Sequence, residues 1–141
     1  MRLLDAADRP SGALRDRLID KGYDDETVAA VVDRLIEVGL VDDESYAQSA
    51  VRYCVGRLMG YRGAVMELAR KGVDRPLAER VCDEARMSGV FEAAAWELGR
   101  RSAAKTQGMD PKVRKRRFWS SGGRKGHDAE TLRAGAQELF Y

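Results

Sequence analysis

The sequence predicts an all-α protein, built from three tandem three-helix repeats that form an elongated, curved, solenoid-like array. A motif occurs three times: LIDKGYD at residues 18–24, LARKGVD at 68–74 and, in degraded form, GGRKGHD at 122–128. The successive shifts are 50 and 54 residues, and a fixed period in this range is typical of stacked helical units. A second glycine stop, at Gly39 and Gly89, repeats with the same 50-residue shift. No stretch of useful length alternates with the two-residue period of a strand.

Each copy of the motif carries the residues that end one helix and begin the next. Glycine commonly follows a helix because it adopts the left-handed backbone conformation without a Cβ clash. In this stop signal the residue directly after the glycine contacts the residue four positions before the glycine. The motif therefore predicts Leu18 against Tyr23 and Leu68 against Val73. The Asp that follows is suited to cap the next helix by accepting from its free N–H groups.

The first repeat is expected over residues 1–40. Leu3, Leu4 and Ala6 predict a short opening helix that stops before a proline. Ser11 is expected to be the N-cap of the next helix, because its hydroxyl can accept from a free backbone N–H. The third helix of this repeat follows from apolar residues that recur at helical spacing.

The second repeat is expected over residues 41–89 and the third over residues 90–141. The third is the most degenerate, because SSGG at residues 120–123 stands where helix formers are expected. Each glycine there costs a helix about 1 kcal/mol relative to alanine. We therefore expect residues 120–127 to fray or to form a loop.

The charge distribution is strongly uneven. The net charge of the 141 residues is only +2. Residues 1–49 nevertheless carry twelve acidic and six basic side chains, whereas residues 99–126 carry ten basic side chains and one acidic. Such an asymmetry favours a polyanionic partner for the late segment. The acidic first repeat, in turn, is suited to contact a basic protein surface or to repel DNA and so orient the array. Most of its carboxylates are expected to be helix caps rather than acid–base or metal-binding pairs.

Membrane and extracellular locations are not expected. The longest stretch without a charged side chain covers residues 45–51, whereas a membrane span needs roughly 20 apolar residues. No signal peptide is evident at the N-terminus. Cys54 and Cys82 lie on apolar stripes and form no CxxC or Cys/His cluster, so both are expected to be buried in a reduced, cytoplasmic protein.

Several motifs together resemble the RecX family of bacterial modulators of the RecA recombinase. The strongest is GLVDDESYA at residues 39–47. The others are RLL at residues 2–4 with Arg9 and Ser11, LxxKGY at 18–23, GYRG at 60–63 and ELxxKGV at 67–73. The chain departs from the family pattern at Ala13, where an acidic residue is usual, at Gly63, where proline is common, and at residues 120–123.

The resemblance implies a fold of tandem three-helix repeats and a role in DNA repair, recombination and the SOS response. It implies binding within the helical groove of the RecA nucleoprotein filament, with inhibition of its ATPase, strand-exchange and coprotease activities. It also implies direct binding to DNA. The rival interpretation is a stand-alone module that binds single- or double-stranded DNA without a recombinase. A third is a scaffold that binds only proteins.

The late basic segment is the candidate phosphate-binding site, because Lys and Arg neutralise backbone phosphates and release counterions. Its members are Arg100, Arg101, Lys105, Lys112, Arg114, Lys115, Arg116, Arg117, Arg124 and Lys125. Phe118 and Trp119 lie beside them and are suited either to stack on bases or to pack in the core. The alternative for the basic residues is a solvated helix face.

A second basic set is the candidate interface with the filament. It consists of Arg52, Arg57, Tyr61, Arg62, Arg70 and Lys71. The alternative is ordinary surface charge, with Tyr61 packed under a turn.

No catalytic constellation accompanies these residues. The sequence has no Walker loop, no GxGxxG and no Ser/His/Asp set, and its single histidine, His127, is expected at a turn. We therefore expect a monomeric, non-enzymatic protein without cofactor, metal or small-molecule substrate.

Overall fold

The computed structural model describes residues 9–140, which form eight α-helices. In chain order these are α1 (Ser11–Asp20), α2 (Asp25–Glu37), α3 (Asp43–Gly56), α4 (Tyr61–Arg70), α5 (Arg75–Met87), α6 (Val90–Lys105), α7 (Pro111–Arg124) and α8 (Ala129–Phe140). No strand occurs between residues 9 and 140, and the all-α prediction is confirmed. The opening helix predicted around Leu3, Leu4 and Ala6 lies outside the described residues.

The three motif glycines end helices α1, α4 and α7 as the sequence predicts. Gly22, Gly72 and Gly126 have φ angles of 98°, 102° and 84°. After each glycine the next N–H donates back to the carbonyl five residues earlier, as from Val73 to Leu68 at 3.0 Å. This bond is the one that defines the glycine stop, so the repeated motif encodes the same turn three times.

The helix starts are only partly as expected. Asp24 accepts from the N–H of Thr27 at 2.7 Å, and Asp128 accepts from Thr131 at 2.8 Å. Asp74 makes no such bond at the start of α5. Ser11 is not the N-cap of α1, because it is the first helical residue and its hydroxyl donates.

The start of α1 is instead capped by a residue of another helix. Asp43, at the start of α3, accepts from the Ser11 N–H at 2.7 Å and from its hydroxyl at 2.5 Å. The cap therefore ties the first part of the chain to the central part.

Apolar side chains form three clusters that follow one another along the chain. The first lies between α1 and α2 around Leu14 and Val32. The second fills the space between α3, α4 and α5 and includes Leu68 and both cysteines. The third joins α7 to α8 around Phe118. The first cluster also includes Val41 and the second includes Phe91, so the clusters do not fix the boundaries. The division at 1–40, 41–89 and 90–141 stays a prediction.

The prediction that residues 120–127 fray or form a loop is wrong for residues 120–124, which are helical. Helix α7 continues to Arg124, and only the turn that contains Gly126 interrupts the chain before α8. A Cβ on Gly122 would overlap the side chain of Leu132 on α8. The absence of a side chain at Gly122 thus lets Leu132 pack closely against α7, so this glycine serves a packing contact within the helix.

The central and third parts of the chain are joined by backbone contacts. The N–H groups of Gly60 and Arg62, at the start of α4, donate to the carbonyls of Lys125 and Gly126 at 2.8 and 3.2 Å. The turn that ends α7 therefore satisfies free donors at the start of α4, which has no side-chain cap of its own.

Candidate nucleic-acid interface

Two adjoining clefts form a surface that we call the basic groove. The first has a volume of about 680 Å³ and lies between the end of α3, the second half of α6 and α7. The second, of about 560 Å³, lies between α3, α4 and the end of α7. Both are lined by Arg57, Ser121, Arg124 and Lys125, so the groove is continuous across the junction of the central and third parts.

The groove is dominated by cations. The Lys and Arg side chains that line it are Arg57, Arg70, Lys71, Arg101, Lys105, Arg117, Arg124 and Lys125. The acidic side chain that lines it is Glu67. Cations that line a cleft raise the local concentration of an anionic partner, so this arrangement suits a phosphate backbone.

The ends of three helices place three of these cations, two of them in copies of the repeated stop. Arg57, Lys71 and Lys125 are the C-cap residues of α3, α4 and α7. A cation at this position interacts favourably with the negative end of the helix dipole. The Lys125 ammonium also donates to the Arg57 carbonyl at 2.9 Å, which brings two cation-bearing turns together across the junction.

Only some of the cations that line the groove form ion pairs with carboxylates. Arg70 and Lys71 share Glu67, at 2.5 and 3.9 Å, and the hydrogen bond from Arg70 lowers the pKa of Glu67. Arg101 shares Glu97 with Arg100. Lys105, Arg117 and Arg124 form no ion pair with any carboxylate between residues 9 and 140, and their charge is available to a ligand.

The structure divides the predicted phosphate-binding set. Five members line the basic groove: Arg101, Lys105, Arg117, Arg124 and Lys125. Five do not: Arg100, Lys112, Arg114, Lys115 and Arg116. Arg101 and Lys105 are four residues apart and Arg117 and Arg124 are seven apart, as expected for residues on one face of a helix.

Arg114 contributes to the corner between α6 and α7. Its guanidinium donates to the Thr106 hydroxyl and to the Ala103 carbonyl, both at 3.1 Å, and lies 5.2 Å from the centre of the Phe140 ring. These contacts hold the guanidinium on the protein rather than towards a ligand.

The predicted filament-interface set is divided in the same way. Arg57, Arg70 and Lys71 line the groove, whereas Arg52, Tyr61 and Arg62 do not. The Tyr61 ring packs edge-on against Phe91, with centroids 6.1 Å apart, and Arg86 lies 4.3 Å from its centre. For Tyr61 the packing interpretation is therefore the one observed.

Base stacking by Phe118 is excluded by its burial. Its side chain has no exposed surface and contacts Phe140, with centroids 5.6 Å apart. Trp119 is half-buried and packs against the same cluster. Phe118 therefore packs in the core and does not stack on bases.

Sequence reasoning missed Tyr53, which lines the second cleft. Its side chain is 54% exposed, and its hydroxyl accepts from the Arg57 guanidinium at 3.1 Å. The available signal was its spacing, because Tyr53 precedes Arg57 by four residues and so lies on the same face of α3.

His127 lies at the turn after α7, as the sequence predicts, and its side chain also bonds across the junction. The side chain is buried, and Nε2 lies 2.8 Å from the carbonyl oxygen of Leu58. Burial lowers the pKa of His127, although the bond to Leu58 acts in the opposite direction. Leu58 has a φ of 63°, which is unusual for a branched residue, and its turn directs this carbonyl towards α7.

Neither a metal centre nor a membrane span is found in the described part of the chain. Residues 9–140 contain no group of three or more His, Cys, Asp or Glu side chains arranged to hold a metal ion. None of the eight helices is both long and apolar enough to cross a bilayer. Cys54 and Cys82 are free and buried, as predicted, and burial raises the pKa of Cys82 to about 12.

Together, the fold and the groove define an all-helical repeat protein with a surface suited to a polyanion. Comparisons with known proteins agree with the helical-repeat fold and identify the family. The sequence model described as "RecX, first three-helix domain" matches residues 1–35. The regulatory protein RecX of Thermobifida fusca (strain YX) is 37% identical over 131 residues, which cover 92% of this chain and 70% of that protein. The chain therefore belongs to the RecX family.

Two further comparisons agree. The regulatory protein RecX of Mycobacterium sp. (strain JLS) is 48% identical over 77 residues, which are 52% of this chain and 41% of that protein. The match thus spans less than half the length of that relative. The crystal structure of RecX from Lactobacillus salivarius superposes with a TM-score of 0.81, at 20% identity, over 93% of this chain and 85% of that one. This likeness confirms the helical-repeat fold.

Proposed function

We propose that this protein is a non-enzymatic regulator that binds the RecA nucleoprotein filament and inhibits its ATPase, strand-exchange and coprotease activities. The observation that carries the proposal is the basic groove, which continues from the central part of the chain into the third. Membership of a family whose relatives are named regulatory proteins supports the same conclusion.

The proposed mechanism is electrostatic and mechanical. The basic groove receives the phosphate backbone of the strand held in the filament, and each neutralised phosphate releases condensed counterions. The elongated row of helices lies along the filament groove as a monomer and spans neighbouring recombinase subunits. Occupation of that groove opposes the subunit movements that accompany ATP hydrolysis and the entry of a second DNA molecule.

The direct test compares two forms of the same single strand at physiological salt. We expect tighter binding to RecA-coated DNA than to bare DNA, because the coated form offers both phosphates and protein surfaces. Equal affinities would eliminate the filament regulator.

The alternative is a stand-alone module for single- or double-stranded DNA. The specific observation in its favour is that Lys105, Arg117 and Arg124 line the groove without an ion-pair partner in residues 9–140, so a phosphate backbone alone can occupy it. On this alternative, bare DNA binds as tightly as the coated strand and the protein leaves RecA ATP hydrolysis unchanged.

A further inference from the structure

Tyr53 is distinguished from most aromatic side chains of the chain by its exposure. Among residues 9–140, the exposed aromatic side chains are Tyr23 and Tyr53, each with 54% of its surface accessible. The two differ in their surroundings. Tyr53 lines a cleft of the basic groove, whereas Tyr23 lies at the turn after α1 and lines neither cleft.

The ring of Tyr53 is held in place by the cations around it. The Arg57 guanidinium lies 5.7 Å and the Lys71 ammonium 5.2 Å from the ring centre. The hydroxyl accepts from Arg57 at 3.1 Å. These contacts favour one orientation of the ring before a ligand arrives, which reduces the entropy lost on binding.

The same cleft carries the groups that bind a phosphate backbone. Arg124 and Lys125 form its other side, together with the hydroxyl of Ser121. The carboxylate of Glu67 is paired with Arg70 and Lys71, so its repulsion of an anion is largely offset. An aromatic face next to a cationic track is the combination that holds single strands, because each base has a face to stack while its phosphate is neutralised.

We propose that Tyr53 is the stacking platform for an unpaired nucleobase in the basic groove and makes this groove selective for single-stranded over double-stranded nucleic acid. The inference rests on the proposed function and adds the part of the strand that is recognised. A base inside a duplex is already stacked between its neighbours and offers no free face to the ring. A single strand places its backbone along Arg124 and Lys125 and turns one base onto Tyr53.

The test uses the full chain and three ligands. These are a short oligothymidylate, a strand of equal length in which abasic sites replace the bases, and a duplex of the same length. Tyr53→Ala removes the ring, and Tyr53→Phe keeps the ring but not the hydroxyl. Tyr23→Ala is the matched control, since it removes an equally exposed tyrosine outside the groove.

We expect Tyr53→Ala to bind oligothymidylate about tenfold more weakly, as is typical for loss of one base–aromatic stack. Binding to the abasic strand and to the duplex should be unchanged. Tyr53→Phe should keep most of the affinity, because the ring remains and only its hydrogen bond from Arg57 is lost. Tyr23→Ala should bind like the unaltered protein. Circular dichroism of each variant confirms that the helices are intact.

Two results would overturn the inference while leaving the proposed function in place. One is an equal affinity of Tyr53→Ala and Tyr23→Ala for oligothymidylate. The other is an equal loss by Tyr53→Ala on the abasic strand, which would make the ring only a support for Arg57. If the unaltered protein binds none of the three ligands, the proposed phosphate contact fails as well.

Discussion

Gly126 lies directly against the backbone of Gly63: a Cβ on Gly126 would overlap the Gly63 nitrogen, and a Cβ on Gly63 would overlap the carbonyl of Lys125. Gly72 meets the backbone of Ala13 in the same way. Gly63 follows Ala13 by 50 residues and Gly126 follows Gly72 by 54, which are the two shifts of the sequence motif. In both cases the glycine that ends one helix packs on the third residue of an earlier helix. One motif thus encodes a helix stop and a junction.

Gly126→Ala should destabilise the protein more than Gly22→Ala does. Both glycines have a positive φ, so each substitution carries the cost of about 1–2 kcal/mol of a left-handed alanine. The space around Gly22 is open, whereas a Cβ on Gly126 overlaps Gly63, which adds overpacking of about 1–3 kcal/mol. Urea unfolding of both variants measures the difference. Equal losses of unfolding free energy would show that the junction is not tightly packed.

His127 should make the stability of the junction depend on pH. Its pKa in the folded protein is lowered by burial, so the unfolded chain binds the proton more readily. The resulting stabilisation is complete above the unfolded pKa of about 6.5 and is lost as the pH falls from there towards the folded pKa. Asp24, Asp42 and Asp128 also have lowered pKa values, but their contribution is lost only in a more acidic range.

The measurement is the free energy of unfolding between pH 8 and pH 5, with His127→Gln as the matched variant. Glutamine does not titrate and can still donate to the carbonyl of Leu58. We expect the difference between the two proteins to be constant at high pH and to shrink on acidification. A difference that stays constant throughout would mean that His127 does not titrate differently in the folded state.

Arg114 should contribute to the stability of the fold and not to DNA binding, although the sequence predicts it to be a phosphate-binding residue. Arg114→Gln removes hydrogen bonds to Thr106 and to the Ala103 carbonyl. Loss of bonds from a charged donor typically costs about 1.5–3 kcal/mol. Thermal unfolding should report this loss, and the salt dependence of DNA binding should remain as it was. A reduced salt slope in a stably folded variant would place Arg114 at the phosphates.

Arg117 and Arg124 should each contact a phosphate. Replacement of either by Gln should lower the slope of log affinity against log salt by about 0.7 for a single strand. Arg116→Gln is the control, because Arg116 is exposed on the same helix but does not line the groove. Titrations at several salt concentrations measure the slopes. Identical slopes for Arg116→Gln and Arg124→Gln would leave the groove without a role in binding.

The sequence predicted the features that depend on local backbone chemistry. Gly22, Gly72 and Gly126 identified the helix ends because few residues other than glycine adopt a positive φ at low cost. Asp24 and Asp128 identified the starts of the next helices, because their carboxylates accept from free backbone N–H groups there. The apolar stripes placed Cys54 in the core.

Features that depend on contacts between distant segments were not predictable in this way. In the sequence Gly122 indicates a break in the helix, whereas in the structure it makes room for the side chain of Leu132. The cap on Ser11 comes from Asp43, 32 residues away. The basic groove combines residues of α3 with residues of α7, so no single stretch of sequence could separate its members from Arg114 and Arg116.

The most direct test of the account is inhibition of RecA ATP hydrolysis on single-stranded DNA. The unaltered protein is compared with a variant carrying Arg117→Gln and Arg124→Gln and with a control carrying Lys112→Gln and Arg116→Gln. Each pair removes two positive charges from α7, but only the first pair lines the basic groove. We predict that the control inhibits as the unaltered protein does and that the groove variant requires a much higher concentration. Equal inhibition by both variants, or none by the unaltered protein, would contradict the proposal that the groove holds this chain on the filament.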